Sequence, residues 1–282
     1  MRLGIFISFL FFIFHSNIEA GGVYTDINKA LLEKGDVVIL KMTYESLDSI
    51  PDVLDQFPNL EEVNFSNNRI RQLPASLFRC YKLKRLNFFR NRISNIPEAI
   101  GRLTNLESIS FSYNNLTGLP DSIGSLSLLK DLELSSNQIQ RIPSTISGLV
   151  NLEKLRLSFN EIEYLPDELT SLKKISLLDL CDNKLAELPE QIGMLHNLHF
   201  LYLARNRLME IPESIGDCKK LQELDVVYCG ALELPYTLAN IQALEDVYID
   251  DRVIPFYQNP RFFYIQKITV VTADEYPYRP SQ

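Results

Sequence analysis

Apolar residues recur along most of this chain at positions that fit no single helix or strand. In LKDLELSSNQIQRIPSTISGLVN (129–151), Leu132 and Leu134 alternate with polar neighbours. That is the period-2 pattern of a strand with one buried face. Leu129, Ile139, Ile142, Ile146 and Leu149 add apolar positions at spacings belonging to neither a strand nor a long helix. They fit a coil whose apolar side chains all point inward. The preceding segment, LESISFSYNNLTGLPDSIGSLSL (106–128), has the same pattern one step earlier.

That step is 23 residues. Pro51, Pro74, Pro97, Pro120, Pro143, Pro166, Pro189, Pro212 and Pro235 keep it without insertion or deletion, and so do Asn68, Asn91, Asn114, Asn137, Asn160, Asn183 and Asn206. Counting the first leucine as slot 1, repeats begin at Val37, Leu60, Leu83, Leu106, Leu129, Leu152, Ile175, Leu198, Leu221 and Leu244. The asparagine is slot 9, just after the strand, where its carboxamide can satisfy backbone groups that the turn leaves unpaired inside the coil. The proline is slot 15, where a fixed φ and a missing N–H suit an extended return path, with room for a short helical turn at slots 16–21. A repeat of this length cannot bury its apolar face alone, so the pattern predicts stacking.

These motifs, L-x-x-L-x-L-x-x-N-x-L continuing as L-P-x-x-I-x-x-L, resemble the leucine-rich repeat family in its 23-residue, Ras-group-like form. The resemblance covers Val37 to about Asn259. It implies an α/β solenoid, a horseshoe with a parallel sheet on its concave face, of about ten repeats. A further short strand is expected in IQKITVV (265–271). The uninterrupted spacing and a brief hydrophobic leader look like small exported bacterial leucine-rich repeat proteins. Cytoplasmic relatives of the Ras group use the same repeat as signalling scaffolds, the alternative if the leader is not a signal peptide.

The leader is MRLGIFISFLFFIFHSNIEA, with Arg2 before a run of about 12 apolar residues, shorter than the roughly 20 that span a bilayer. The expected organisation is a signal peptide at 1–20, an N-terminal capping helix within 21–36, repeats at 37–259, and a C-terminal cap and tail at 260–282. For the capping helix, Thr25 or Asp26 can start it and Gly35 can end it, with Ile27, Ala30 and Leu31 towards the first coil. Formal net charge is −8 with no basic run, which argues against nucleic acid as the partner.

Chemistry-bearing motifs are absent: no phosphate loop, no HExxH, no paired-cysteine spacing and no nucleophile elbow. His196 and His199 straddle a repeat boundary and read as structural. No metal, cofactor or catalytic residue is expected, and the 23 residues after Asn259 are too few for a catalytic domain. Two sequons occur, Asn64-Phe-Ser and Asn115-Leu-Thr. Cys229 holds slot 9, the asparagine's place; Cys80 and Cys218 hold core slot 21, and Cys181 holds slot 7. At about 4.8 Å per strand, Cys181 and Cys229 lie roughly 10 Å apart, too far for a disulfide, which needs Cα atoms within about 7 Å. No disulfide is expected.

Slots 3, 5, 7 and 8 face outward from the sheet, are expected to stay out of the core, and form columns. Phe89, Arg90, Tyr113, Phe159, Phe200, Tyr202, Arg205, Tyr228 and Tyr248 occupy them. Aromatic residues and arginine are the types that carry interface energy, although they also stabilise a sheet by packing across it. Glu133, Arg156 and Asp179 form one charged column, and Asp131 sits beside Lys154, as neighbour-pairing ladders. Arginines 69, 85, 90 and 92 lie early and aspartates 225, 246, 250 and 251 late, so the face is expected to run from basic to acidic. The function implied is a non-enzymatic, exported protein binding an unidentified protein or peptide on the concave face, with glycan recognition as the second binding class.

Overall fold

The computed structural model describes residues 22–250, 253 and 267–270. The proposed leader, most of the C-terminal segment and Asp251 lie outside them. Twelve parallel strands form one open sheet in chain order, with β1 and β12 at its edges: β1 (Val23–Tyr24), β2 (Ile39–Lys41), β3 (Glu62–Asn64), β4 (Arg85–Asn87), β5 (Ser108–Ser110), β6 (Asp131–Glu133), β7 (Lys154–Arg156), β8 (Leu177–Asp179), β9 (Phe200–Tyr202), β10 (Glu223–Asp225), β11 (Asp246–Ile249) and β12 (Lys267–Val270). From β2 to β11 each strand pairs with its neighbour 23 residues on, as Leu132 does with Leu155. The stacked coils form the expected solenoid.

Slot 4 of each three-residue strand is buried, as at Val63, Leu86 and Ile109, and slot 6 continues the core just beyond. In three successive coils slot 6 is phenylalanine. Phe65, Phe88 and Phe111 stack with ring centroids 5.7 and 5.3 Å apart. Leu134, Leu157, Leu180 and Leu203 extend the same column, all fully buried. The core is thus a continuous spine through the coils, each layer closed by the next.

On the return path, nine short 3₁₀ turns are present among the described residues, and seven begin directly after the slot-15 proline. Proline holds φ near the value such a turn requires. Its carbonyl accepts the slot-18 N–H, as from Leu77 to Pro74 at 3.1 Å and from Ile100 to Pro97 at 3.0 Å. Carboxylates at slot 16 then cap the next coil's turn. Glu98 accepts from the N–H groups of Asp121 (3.2 Å) and Ser122 (2.9 Å), and Asp52 from that of Ser76 (2.6 Å). Those backbone donors hold both carboxyls below the ordinary carboxylate range. Successive turns pack closely enough that a Cβ on Gly193 would collide with the Ser214 carbonyl.

Both ends differ from a plain continuation of the pattern. Helix α1 (Ile27–Leu32) starts at Asp26, whose carboxylate accepts from the N–H groups of Asn28 and Lys29. It buries Ile27 and Ala30 and ends at Leu32, short of Gly35. Ahead of it lies β1, which sequence reasoning did not anticipate. Its register to β2 is 16 residues, Val23 opposite Ile39. Gly22 makes this junction: at φ +86° its carbonyl accepts from the N–H groups of both Val38 and Ile39. At the other end β12 falls within the segment expected to form a strand. Lys267 pairs with Asp246, so the last step is 21 residues rather than 23.

The slot-9 asparagines bind the coils together. Asn114 Nδ2 donates to the carbonyls of Phe111 in its own coil (3.0 Å) and Phe88 in the previous one (2.9 Å), while Oδ1 accepts from Ile93 N–H (2.9 Å). The same three bonds recur at Asn68, Asn91, Asn137, Asn160, Asn183 and Asn206. Asn114→Ala leaves buried backbone groups of two coils unmatched and is expected to cost about 3 kcal/mol, at about 1 per bond. The adjacent, exposed Asn115→Ala is expected to stay within about 0.5 kcal/mol. Urea unfolding midpoints of the two variants check this; equal effects would contradict the ladder's role.

Candidate functional site

The outward face of the sheet is built from slots 3, 5, 7 and 8, and the backbone treats them differently. Slot 8 is left-handed. Tyr44, Asn67, Arg90, Tyr113, Ser136, Phe159, Asp182, Arg205 and Tyr228 all have φ between 53° and 63°. The chain reverses there, and after seven of the nine the next side chain is the asparagine that enters the coil. Glycine and asparagine tolerate this conformation best, and other side chains cost about 1 kcal/mol or more. Only Asn67 and Asp182 are types that favour it; six of these nine are tyrosine, phenylalanine or arginine.

Slot 5 is structural in four repeats. Asn64, Asn87, Asp179 and Asp225 accept through Oδ1 from the slot-7 N–H two residues on, at 2.9–3.2 Å. Asp179 is therefore held by its own turn, and no Arg156–Asp179 ion pair is found. Arg156 Nη1 instead reaches Glu133 and Asp131, each at 2.9 Å. Asp131 pairs diagonally rather than with Lys154 alongside it, because the longer guanidinium spans both carboxylates.

Slot 7 corrects the expectation that outward slots stay out of any core. Cys181, Ala204 and Val227 are fully buried and form a second, small apolar cluster on the outward face. Tyr202, Tyr228 and Tyr248 pack against it. Small side chains at three consecutive slot-7 positions, flanked by tyrosines in slots 5 and 8, were the available signal.

The candidate residues thus separate into two groups, with Phe159 in the column between them. Near the N-terminus, Phe89 meets Tyr113 edge to face with centroids 5.2 Å apart, and Arg90 is exposed. Tyr44, in the same column but outside the candidate set, has the most exposed ring on this face at 77%. Near the C-terminus, Phe200 lies beside Tyr202 at 6.4 Å, and the Arg205 guanidinium sits 5.5 Å from the centre of the Tyr228 ring. Burial and the carboxylates of Glu223, Asp179 and Asp225 push the Tyr202 phenol well up. Burial also raises the Asp182 carboxyl, against the pull of Arg205 with Nε 3.9 Å away.

The four cysteines are buried free thiols. Burial pushes Cys80, Cys218 and Cys229 up to about 12, and Cys181 well above its ordinary value. Cys229 makes one of the asparagine's three bonds. Its Sγ donates to the Leu203 carbonyl at 3.2 Å, as Nδ2 does elsewhere, but a thiol offers no carboxamide oxygen to Leu208 N–H. No group of three His, Cys, Asp or Glu able to hold a metal occurs among the described residues, and no helix of theirs is long and apolar enough to cross a membrane.

Comparison with known proteins agrees with this geometry. The Leucine rich repeat family matches residues 58–116 and 104–162, and a second Leucine Rich Repeat description matches 197–218. The fold is similar to that of the Leptospira interrogans leucine-rich repeat protein LIC12759, at 26% identity over 88% of this chain and 76% of that one, with a TM-score of 0.61. It is also similar to the plant peptide hormone receptor RGFR1 in complex with RGF2 (27% identity, 76% of this chain, TM-score 0.67) and to PEPR1 in PEPR1–AtPEP1 (27%, 76%, 0.60). This chain spans 37% and 36% of those two chains. No curated protein sequence matches it. The chain is a leucine-rich repeat protein.

Two outcomes follow for the cysteines. A thiol reagent such as Ellman's is expected to leave all four unreacted in the native protein and to titrate all four after unfolding. A thiol reacting at the native rate of a surface cysteine would contradict the burial. Cys229→Asn, by giving Leu208 N–H an acceptor, is expected to raise stability by about 1 kcal/mol in denaturant unfolding; a loss of that size would contradict the reading of slot 9.

Proposed function

We propose that this is an exported, non-enzymatic protein, its repeats of the Ras-group-like 23-residue type, that holds a protein or peptide on the outward face of its sheet. The observation that carries the reading is the slot-8 column. Six large side chains stand on the outward face in a backbone conformation where asparagine or glycine would be more stable. A role in contact with a partner accounts for that cost. RGFR1, similar in fold, was solved with the peptide RGF2. Export rests on the leader at 1–20, and leucine-rich repeats generally serve as non-enzymatic scaffolds.

The test separates binding from packing. In a pull-down with the chain from Gly21 onward, changing Phe89, Tyr113, Phe159 and Tyr202 to Ala is expected to abolish capture of a specific partner. Arg90→Asn should weaken that capture while leaving stability unchanged or up to about 1 kcal/mol higher, since asparagine suits the left-handed position. Undiminished capture by the fourfold variant would move the site off this face. A stability loss with Arg90→Asn would mean that the arginine serves the fold.

A further inference from the structure

Six ion pairs among the described residues join one slot in neighbouring coils, at 2.6–3.9 Å. Lys184 and Glu161 show the arrangement at slot 10, directly after the asparagine. The loops that follow β3 and β4 depart from it. Arg69 and Arg92 hold slot 10 in successive coils, Arg71 lies two residues beyond Arg69, and Arg90 stands at slot 8 where the loop leaves the sheet. All four are exposed. Among the described residues none of them is in an ion pair, and Glu45 and Asp48 of the preceding coil pair with none of them.

The backbone holds these arginines in register. The Arg69 N–H donates to the Leu47 carbonyl at 2.8 Å and the Arg92 N–H to that of Ile70 at 2.9 Å, so the ladder between coils continues past the asparagine. Asn68, Ile70, Asn91 and Ile93 point inward and are buried, which turns the intervening slot 10 outward. One coil spacing then separates the backbone of Arg69 from that of Arg92 by about 5 Å, and Arg71 lies about 7 Å along the chain from Arg69. Like charges in neighbouring positions at this spacing are unfavourable. An anion bound between them removes that cost.

The patch is also compact. Slots 8–13 of the repeats beginning at Leu60, Leu83, Leu106 and Leu129 contain five arginines and no carboxylate, in a chain of net charge −8. The fifth, Arg141, lies over the Tyr164 ring at 5.9 Å. Between it and the other four, slots 10 and 12 carry the uncharged Asn115, Thr117, Gln138 and Gln140. A long polyanion would run past the last of the four arginines in one direction and onto Glu45 and Asp48 in the other. Two or three carboxylates fit. Arg90 joins the patch to Phe89 and Tyr113, whose rings meet edge to face and share no flat platform for a sugar ring.

We propose that Arg69, Arg71, Arg90 and Arg92 receive the side-chain carboxylates of a short acidic segment of the partner. The inference rests on a protein or peptide being held on the outward face, and adds where its charge docks. Guanidinium forks match carboxylates in two-point hydrogen bonds. Alternate residues of an extended peptide stand about 7 Å apart on one side, the separation of Arg69 and Arg71.

The probe is an end-blocked, fluorescent peptide with glutamate at alternate positions among glycine and serine, and a twin with lysine in place of glutamate. Fluorescence anisotropy with the chain from Gly21 onward is expected to show binding of the glutamate peptide alone, weakening as salt rises from about 0.05 to about 0.5 M. Arg69→Gln combined with Arg92→Gln is expected to weaken it at least about fivefold. The urea midpoint of that variant is expected to stay level or rise, since two like charges are removed. A charge-matched control, Arg79→Gln with Arg102→Gln, takes its two cations from the 3₁₀ turns of the same two coils on the return-path side. It is expected to bind as the parent does. No binding of the glutamate peptide, equal binding of the lysine twin, or equal loss in the control overturns the inference. Binding of fluorescent dextran sulfate without the glutamate peptide also overturns it, in favour of a sulfated polymer. If the glutamate peptide fails while the fourfold aromatic variant still loses its partner, only the acidic chemistry has failed. If that variant keeps its partner, the face itself is wrong.

Discussion

The bond set of the slot-9 carboxamide is the constraint on which the rest of this molecule depends. Each asparagine joins two coils by donating to carbonyls in both and accepting an N–H from the earlier one. To enter the coil directly after a strand, the side chain requires the residue before it to adopt a left-handed φ, and the seven residues before these asparagines do. The interaction that fixes the stacking therefore also fixes the direction in which slot 8 projects. Core and candidate binding surface are two consequences of one turn. A change at the asparagine would be felt on the outward face without touching it.

Much of this was legible in the sequence because each coil repeats the same demands without insertion. A strand of three residues is too short to recognise by propensity, yet ten copies in one register identify it, and Leu132 opposite Leu155 follows from counting. The asparagine's role was legible for the same reason. What escaped was information carried by single repeats or by the ends. Strand β1 pairs at a 16-residue offset and has no counterpart in the repeat. Left-handed backbone at Tyr113, Phe159 or Arg205 runs against the preference of those residues, so no local reading gives it. The turn caps at Asn64, Asn87, Asp179 and Asp225 are irregular along the column, since Ser110, Glu133, Arg156 and Tyr202 occupy the same slot.

The same irregularity marks where the surface changes character. In the early repeats the outward slot 7 carries Ser66, Phe89, Ser112 and Ser135; in the repeats beginning at Ile175, Leu198 and Leu221 it carries Cys181, Ala204 and Val227. Small apolar side chains let neighbouring tyrosines close over them, which gives the late half a cluster of its own. That local cover keeps Asp179 and Asp225 out of water while their oxygens take backbone N–H groups. Burying a carboxyl group is tolerable there because its oxygen caps the turn.

Cys229 lies at the boundary of these effects. The ladder loses its acceptor there, Gly230 takes φ +98°, and Tyr228 N–H goes to the Asp250 carboxylate instead of a slot-7 carbonyl in the next coil. A side chain has replaced a carbonyl in this one bond between the coils, while the backbone ladder of β10 and β11 continues. That side chain lies on the outward face and is buried there. The departure from the repeat at this end thus ties a side chain of the outward face into the stacking of the coils, as the asparagine ties the stack to the shape of that surface elsewhere.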